Sequence, residues 1–123
     1  MEIIMPRGDL RNISFCIKDS NDDIVTTDFN EIYITFKEDY IDERVLFQKR
    51  LTAGNITKDS ESNYHFTLFP EDTDWLKYQD YVFDIELYSF EENEGIKTPI
   101  LKQTTLGKLT LTNEATFAIN EGD

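Results

Sequence analysis

Apolar side chains recur at every second position in one segment after another of this chain. A period of two is what a strand with one buried face produces, where a helix would repeat near every 3.6 residues. In the stretch 10–18, Ile13, Phe15 and Ile17 fall on one side, opposite Asn12, Ser14, Cys16 and Lys18. Ile32, Ile34 and Phe36 alternate with Tyr33, Thr35 and Lys37, and Tyr64, Phe66 and Leu68 with His65 and Thr67. The longest run sets Tyr81, Phe83, Ile85 and Leu87 against Val82, Asp84, Glu86 and Tyr88. Faces of this kind must be buried against each other in two layers, so an all-β sandwich is the expected fold.

Turn residues punctuate the pattern. Pro6-Arg7-Gly8-Asp9, Asp19-Ser20-Asn21-Asp22-Asp23 and the polar stretch 59–63 read as turns, because Asn and Asp bond nearby backbone and Gly accepts a positive φ. Residues 45–51 mix apolar side chains with Gln48, Lys49 and Arg50, the composition of an edge strand blunted by charge. Residues 56–58 make a short strand, and 91–95 a hairpin loop. The stretch 96–112 is broken by Pro99 and Gly107, which predicts one bent strand or two segments. The one helical signal is at 70–76, where a proline precedes acids in a first turn. About seven strands at this spacing predict an immunoglobulin-like antiparallel β-sandwich with Greek-key topology and one short helical turn. A Tyr opening a late strand, two residues before a buried position, is what a tyrosine corner requires, which assigns Trp75, Leu76, Tyr81 and Phe83 to such a corner. Phe83 stands where an antibody domain would place its second cysteine. Residues 1–112 are therefore expected to form the sandwich, with 1–8 as an N-terminal arm and 113–123 as a C-terminal tail.

With 123 residues the chain can bury one core, and nine Phe and six Tyr give that core its area. There are 25 acidic against 12 basic residues, a formal net charge of -13. A nucleic-acid partner or an anionic membrane surface would call for a basic face, so neither is expected. The same charge leaves room for an acidic inhibitor or DNA mimic that binds a basic host factor. Cys16 is the single cysteine, which excludes an intrachain disulfide and any zinc site built from cysteines. Met1 to Pro6 lack the basic flank and apolar core of a leader, so a cytoplasmically made, unprocessed protein is expected.

Candidates for chemistry are few. His65 is the only imidazole and lies mid-strand on the polar side of the alternation, and Cys16 lacks electropositive neighbours in sequence. Asp19-x-Asn21-x-Asp23 resembles the opening of a calcium loop, but Ile24 replaces the required glycine and Asn30 the bidentate glutamate. Arg7-Gly8-Asp9 spells an integrin-recognition tripeptide and is also good turn chemistry. Neither a cofactor, a metal ion nor catalysis is expected.

In order along residues 6–112, the residues resemble a family of small bacteriophage virion structural proteins, in particular the N-terminal immunoglobulin-like domain of phage upper baseplate proteins. The resemblance rests on Arg7-Gly8-Asp9 before Ile13-x-Phe15-x-Ile17, on Ile32-x-Ile34-x-Phe36, and on Leu46-Phe47-Gln48-Lys49. It continues through Tyr64-x-Phe66-x-Leu68-x-Pro70-Glu71-Asp72-Thr73 and Tyr81-x-Phe83-Asp84-Ile85 to Leu109-Thr110-Leu111. It implies a non-enzymatic structural protein of the virion, made in the host bacterial cytoplasm. Such a protein docks onto other virion proteins of capsid, neck or baseplate, as a capsid decoration, head-fibre base or tail component; homo-oligomerisation there is compatible with the resemblance, and the residues leave the oligomeric state open. Docking through sheet edges and extended termini would use Ile3, Ile4 and Met5 at one end and Phe117 and Ile119 at the other as assembly contacts. Besides the acidic inhibitor, a carbohydrate-binding adhesion module using Tyr33, Tyr40 or Tyr88 stays open.

Overall fold

The computed structural model describes residues 1–113, and for 99–101 the backbone alone. The described strands are β1 (Glu2–Pro6), β2 (Arg11–Cys16), β3 (Glu31–Lys37), β4 (Phe47–Arg50), β5 (Ile56–Lys58), β6 (Asn63–Leu68), β7 (Asp80–Asn93) and β8 (Ile96–Thr112). One helical turn, α1 (Pro70–Thr73), joins β6 to β7. A five-stranded sheet in the order β1-β8-β7-β3-β4 faces a three-stranded sheet in the order β2-β6-β5. Their inward positions supply one core, to which β3 gives Ile32, Ile34 and Phe36, β6 gives Tyr64, Phe66 and Leu68, and β7 gives Tyr81, Phe83, Ile85 and Leu87. The period-two residues of the sequence are the residues that meet.

The architecture departs from the expected antiparallel sandwich at its first strand. Residues 2–6 are no free arm: they pair in parallel with the end of β8, from Glu2 opposite Lys108 to Pro6 opposite Thr112. Ile3 and Met5 turn inward and are buried, while Ile4 faces solvent. The cause is again alternation, too short a run to read as a strand until its partner at the far end of the chain is known. The proposed tail contacts Phe117 and Ile119 lie outside the described residues.

The β7–β8 hairpin is also longer than expected. The strands stay paired out to Asn93 and Ile96, leaving a two-residue turn in which Glu94 and Gly95 both take positive φ. That geometry matches the twist of the flanking strands. Pro99 and Gly107 do not divide β8. The register shifts near Ser89 and Phe90, opposite Pro99 to Leu101, and this bulge absorbs the proline. Gly107 lies across from Phe83, whose ring fills the space a side chain would need, and a Cβ there would come within 2.3 Å of it.

One end of the sandwich is closed by side chains from distant parts of the sequence. Asp72 accepts from the Phe69 N–H at 2.8 Å and pairs with Lys49 at 2.7 Å. Lys49 therefore does not blunt the edge of β4; it points inward and is buried. Thr73, fully buried, accepts from Gly8 N–H at 2.8 Å, and Arg7 donates to the Leu76 carbonyl at 3.2 Å. The Tyr81 hydroxyl donates to the Lys77 carbonyl at 2.9 Å and accepts from the Lys77 N–H at 2.8 Å. Leu76, Tyr81 and Phe83 are buried around this bend, whereas Trp75 is 51% exposed and takes no part in that packing, because α1 ends before it and turns it outward.

Three outcomes follow for urea unfolding. Gly107→Ala is expected to lose about 1–3 kcal/mol by forcing Phe83 off its site, and an unchanged midpoint would contradict that packing. Tyr81→Phe is expected to lose about 1–2 kcal/mol, because it removes the hydroxyl's bonds to both the N–H and the carbonyl of Lys77. Tyr64→Phe is expected to lose less, since among the described residues the buried Tyr64 hydroxyl makes no well-formed hydrogen bond, though the Lys58 ammonium acts on it; equal losses at both positions would refute this account.

Candidate interaction surfaces

The outward face of the five-stranded sheet carries a cluster that the sequence shows only in pieces. Tyr33 on β3 lies between Arg50 on β4 and Glu86 on β7, and Tyr88 lies between Glu31 and Lys102. Tyr33 and Tyr88 meet edge to face at 5.5 Å, and Phe90 stacks on Tyr88 at 5.9 Å. Arg50 stands over the Tyr33 ring at 5.1 Å and Lys102 over that of Tyr88 at 5.7 Å. Two shallow concavities, of about 450 and 410 Å³, share Tyr33 and Phe90.

Buried Glu31 anchors the cluster. Burial opposes its ionisation, but hydrogen bonds from the Thr52 side chain and N–H, the Ile32 N–H and Arg50 prevail and hold the carboxyl below its ordinary value. Arg50 reaches it at 3.2 Å, which fixes the guanidinium over Tyr33. Tyr88 donates to Glu86 at 2.6 Å, and that bond pushes its phenol up. Of the aromatic residues singled out in the sequence, Tyr33 and Tyr88 come together and Tyr40 does not; its hydroxyl donates to the Gly107 carbonyl at 2.7 Å. Phe90, Arg50 and Glu31 were missed. A usable signal was present in Phe90, two residues beyond Tyr88 and so on the same face.

On the smaller sheet, Ser14 and His65 are cross-strand partners. The Ser14 hydroxyl meets His65 Nδ1 at 2.8 Å, and Asp59 meets Nε2 at 2.8 Å. Asp59 also accepts from the N–H groups of Glu61 and Asn63, at 2.9 and 3.0 Å, across a turn in which Ser62 has positive φ. Asp19 builds the same turn, accepting from Asn21 and Asp23 at 2.9 and 3.1 Å, with Asp22 at positive φ. The carboxylate that looked like the first ligand of a calcium loop thus organises a turn. Likewise Arg7 and Gly8, from the integrin-like tripeptide, are the residues that clasp α1 and the bend after it.

A third surface lies between the two sheets. β1 and β2 are edge strands of different sheets, and a groove of about 480 Å³ runs between Met1–Ile4 and Arg11–Ser14. It continues past Met1 into an apolar opening of about 310 Å³ that reaches Phe15, Ile17, Ile85 and Leu87. Ile3 and Met5, expected as assembly contacts, are buried core residues beside this groove, so only Ile4 of the three is exposed. The chain matches no protein-family model, no curated protein and no solved structure.

The Asp59 carboxyl is lowered to about 2, first by the His65 hydrogen bond and then by backbone donors. A depressed carboxylate stabilises the fold above its ordinary value near 3.8, and that contribution fades as pH falls toward 2. His65→Ala is expected to move the Asp59 titration, followed by its carboxyl carbon resonance, upward. No movement would assign the depression to the turn alone.

Proposed function

We propose that this chain is a non-enzymatic structural protein of a bacteriophage virion. It acts by docking the outward face of its five-stranded sheet onto another virion protein. The observation that carries the docking reading is the Tyr33–Tyr88–Phe90 cluster, held rigid by Glu31 and Arg50. Fixed aromatic rings with an adjacent arginine are the side chains that dominate protein interfaces, because they bury large area with little loss of rotamer freedom. The fold is proposed to be immunoglobulin-like. Its strand order supports this, with β1-β8-β7-β3-β4 taking the places of A′-G-F-C-C′ and β2-β6-β5 those of B-E-D. The virion setting rests on the sequence resemblance. Support for it comes from Arg7, Gly8, Asp72, Thr73 and Tyr81, residues that carry the resemblance and that meet at one corner.

A carbohydrate-binding reading has one observation in its favour, the contact of Tyr33 with Tyr88. Against it, Arg50 and Lys102 already stand over those two rings, where a sugar would stack. The acidic-mimic reading needs a face of one sign, and this face interleaves Glu31, Asp84 and Glu86 with Arg50, Lys102 and Lys108.

Mass spectrometry of purified particles from the phage that encodes the chain is expected to find it in stoichiometric amount. A Tyr88→Ala/Phe90→Ala variant with an unchanged melting temperature is expected to be absent from particles. Particles lacking the wild-type chain despite its expression would overturn the virion reading, and a variant incorporated as well as wild type would overturn the docking face.

A further inference from the structure

The groove between β1 and β2 has the dimensions of a missing strand. On one side, among the described residues, β2 pairs with β6 alone and its other edge has no strand beside it. On the other side β1 covers β8 only from Lys108 to Thr112, and among the described residues the same edge of β8 from Ile96 to Gly107 has no strand beside it. Between these edges the groove is lined by Phe15, Ile85 and Leu87 of the core and by Ile17, which is partly buried against it. Open main-chain edges flanking an apolar floor are what strand addition uses: the ladder supplies affinity and the floor takes alternate side chains.

We propose that residues 115–120 of a second copy of this chain fill the groove as an added strand. The segment Ala115-Thr116-Phe117-Ala118-Ile119-Asn120 keeps the two-residue apolar spacing of the core strands. Its extended length of about 20 Å matches that of six-residue β2. Phe117 and Ile119 then cover Ile13, Phe15 and Ile17. β8 ends at the mouth of the groove, where Thr112 accepts from the Arg7 N–H at 3.1 Å. To enter the groove of its own domain the segment would have to cross the 7–10 connection at the same end, a crossing that chain topologies avoid. The groove of a neighbour imposes no such crossing. The contact is head to tail, so copies join into a ring or a row. A net charge of -13 sets copies against each other, so association strengthens with salt, as repulsion between them is screened.

Sedimentation velocity of the full chain across concentrations, at low and high sodium chloride, reads this directly and needs no virion. Its failure and that of the docking face are therefore separable. Expected is a larger species that grows with concentration and with salt, and that is lost in Phe117→Asp. Ile13→Asp, which alters the groove and leaves the donor segment, is expected to be monomeric as well. Mixing the two folded variants is expected to give a one-to-one complex, since one offers a groove and the other a strand. Should Ile13→Asp not fold, Phe117→Asp alone decides. A wild-type chain that stays monomeric under every condition overturns the proposal, and so does an oligomer that survives Phe117→Asp.

Discussion

The Asp72 carboxylate is partly buried, and it binds Lys49 from β4 and the N–H that opens α1. Ion pairs so placed are weak sources of net stability, yet losing one partner leaves the other poorly satisfied and costs about 1–3 kcal/mol. Their effect is to fix geometry. With α1 held, Thr73 is placed to accept from Gly8, Arg7 to reach Leu76, and Tyr81 to close the bend into β7. The connections that follow β1 and β6 are thereby tied to β4 and β7 at one corner.

That corner decides what the rest of the molecule can do. β7 leaves it as the longest partner of β3 and β8, and its outward positions carry Glu86, Tyr88 and Phe90 into the aromatic cluster. A face built on paired central strands is rigid, which lowers the ordering cost of binding. The groove is different: β1 and β2 bound different sheets, and among the described residues the main-chain groups on both sides face no strand. Face and groove differ in chemistry for this reason. The first offers fixed aromatic rings and paired charges, the second an open ladder and part of the core floor.

Much of this was legible in the sequence, and the parts that were not share a cause. Period two located β3, β6 and β7 and their core residues, because each of those strands puts apolar side chains on its core face and mostly polar or phenolic ones on the other. Tyr81 was readable because a corner is local, a hydroxyl bonding a carbonyl four residues away. β1 was read as an arm because its pairing partner lies over a hundred positions on, and its five residues carry too little pattern alone. Lys49 was read as a solvated edge charge, since nothing local tells a lysine facing water from one facing an aspartate 23 residues later. The aromatic cluster was half visible. Tyr33 and Tyr88 were named as exposed aromatics, but their contact, and the cations over both rings, depend on the register of β3 against β7.

Native-state hydrogen exchange of the full chain tests most directly whether the corner holds the domain together. The amides of Gly8, Phe69 and Lys77 donate to Thr73, Asp72 and Tyr81. If the clasp opens only with the whole domain, these three exchange with the same free energy and the same denaturant dependence as the amides of central β7. Exchange of the three through a low-energy opening insensitive to denaturant, while β7 stays protected, would contradict the account and make the corner a peripheral contact.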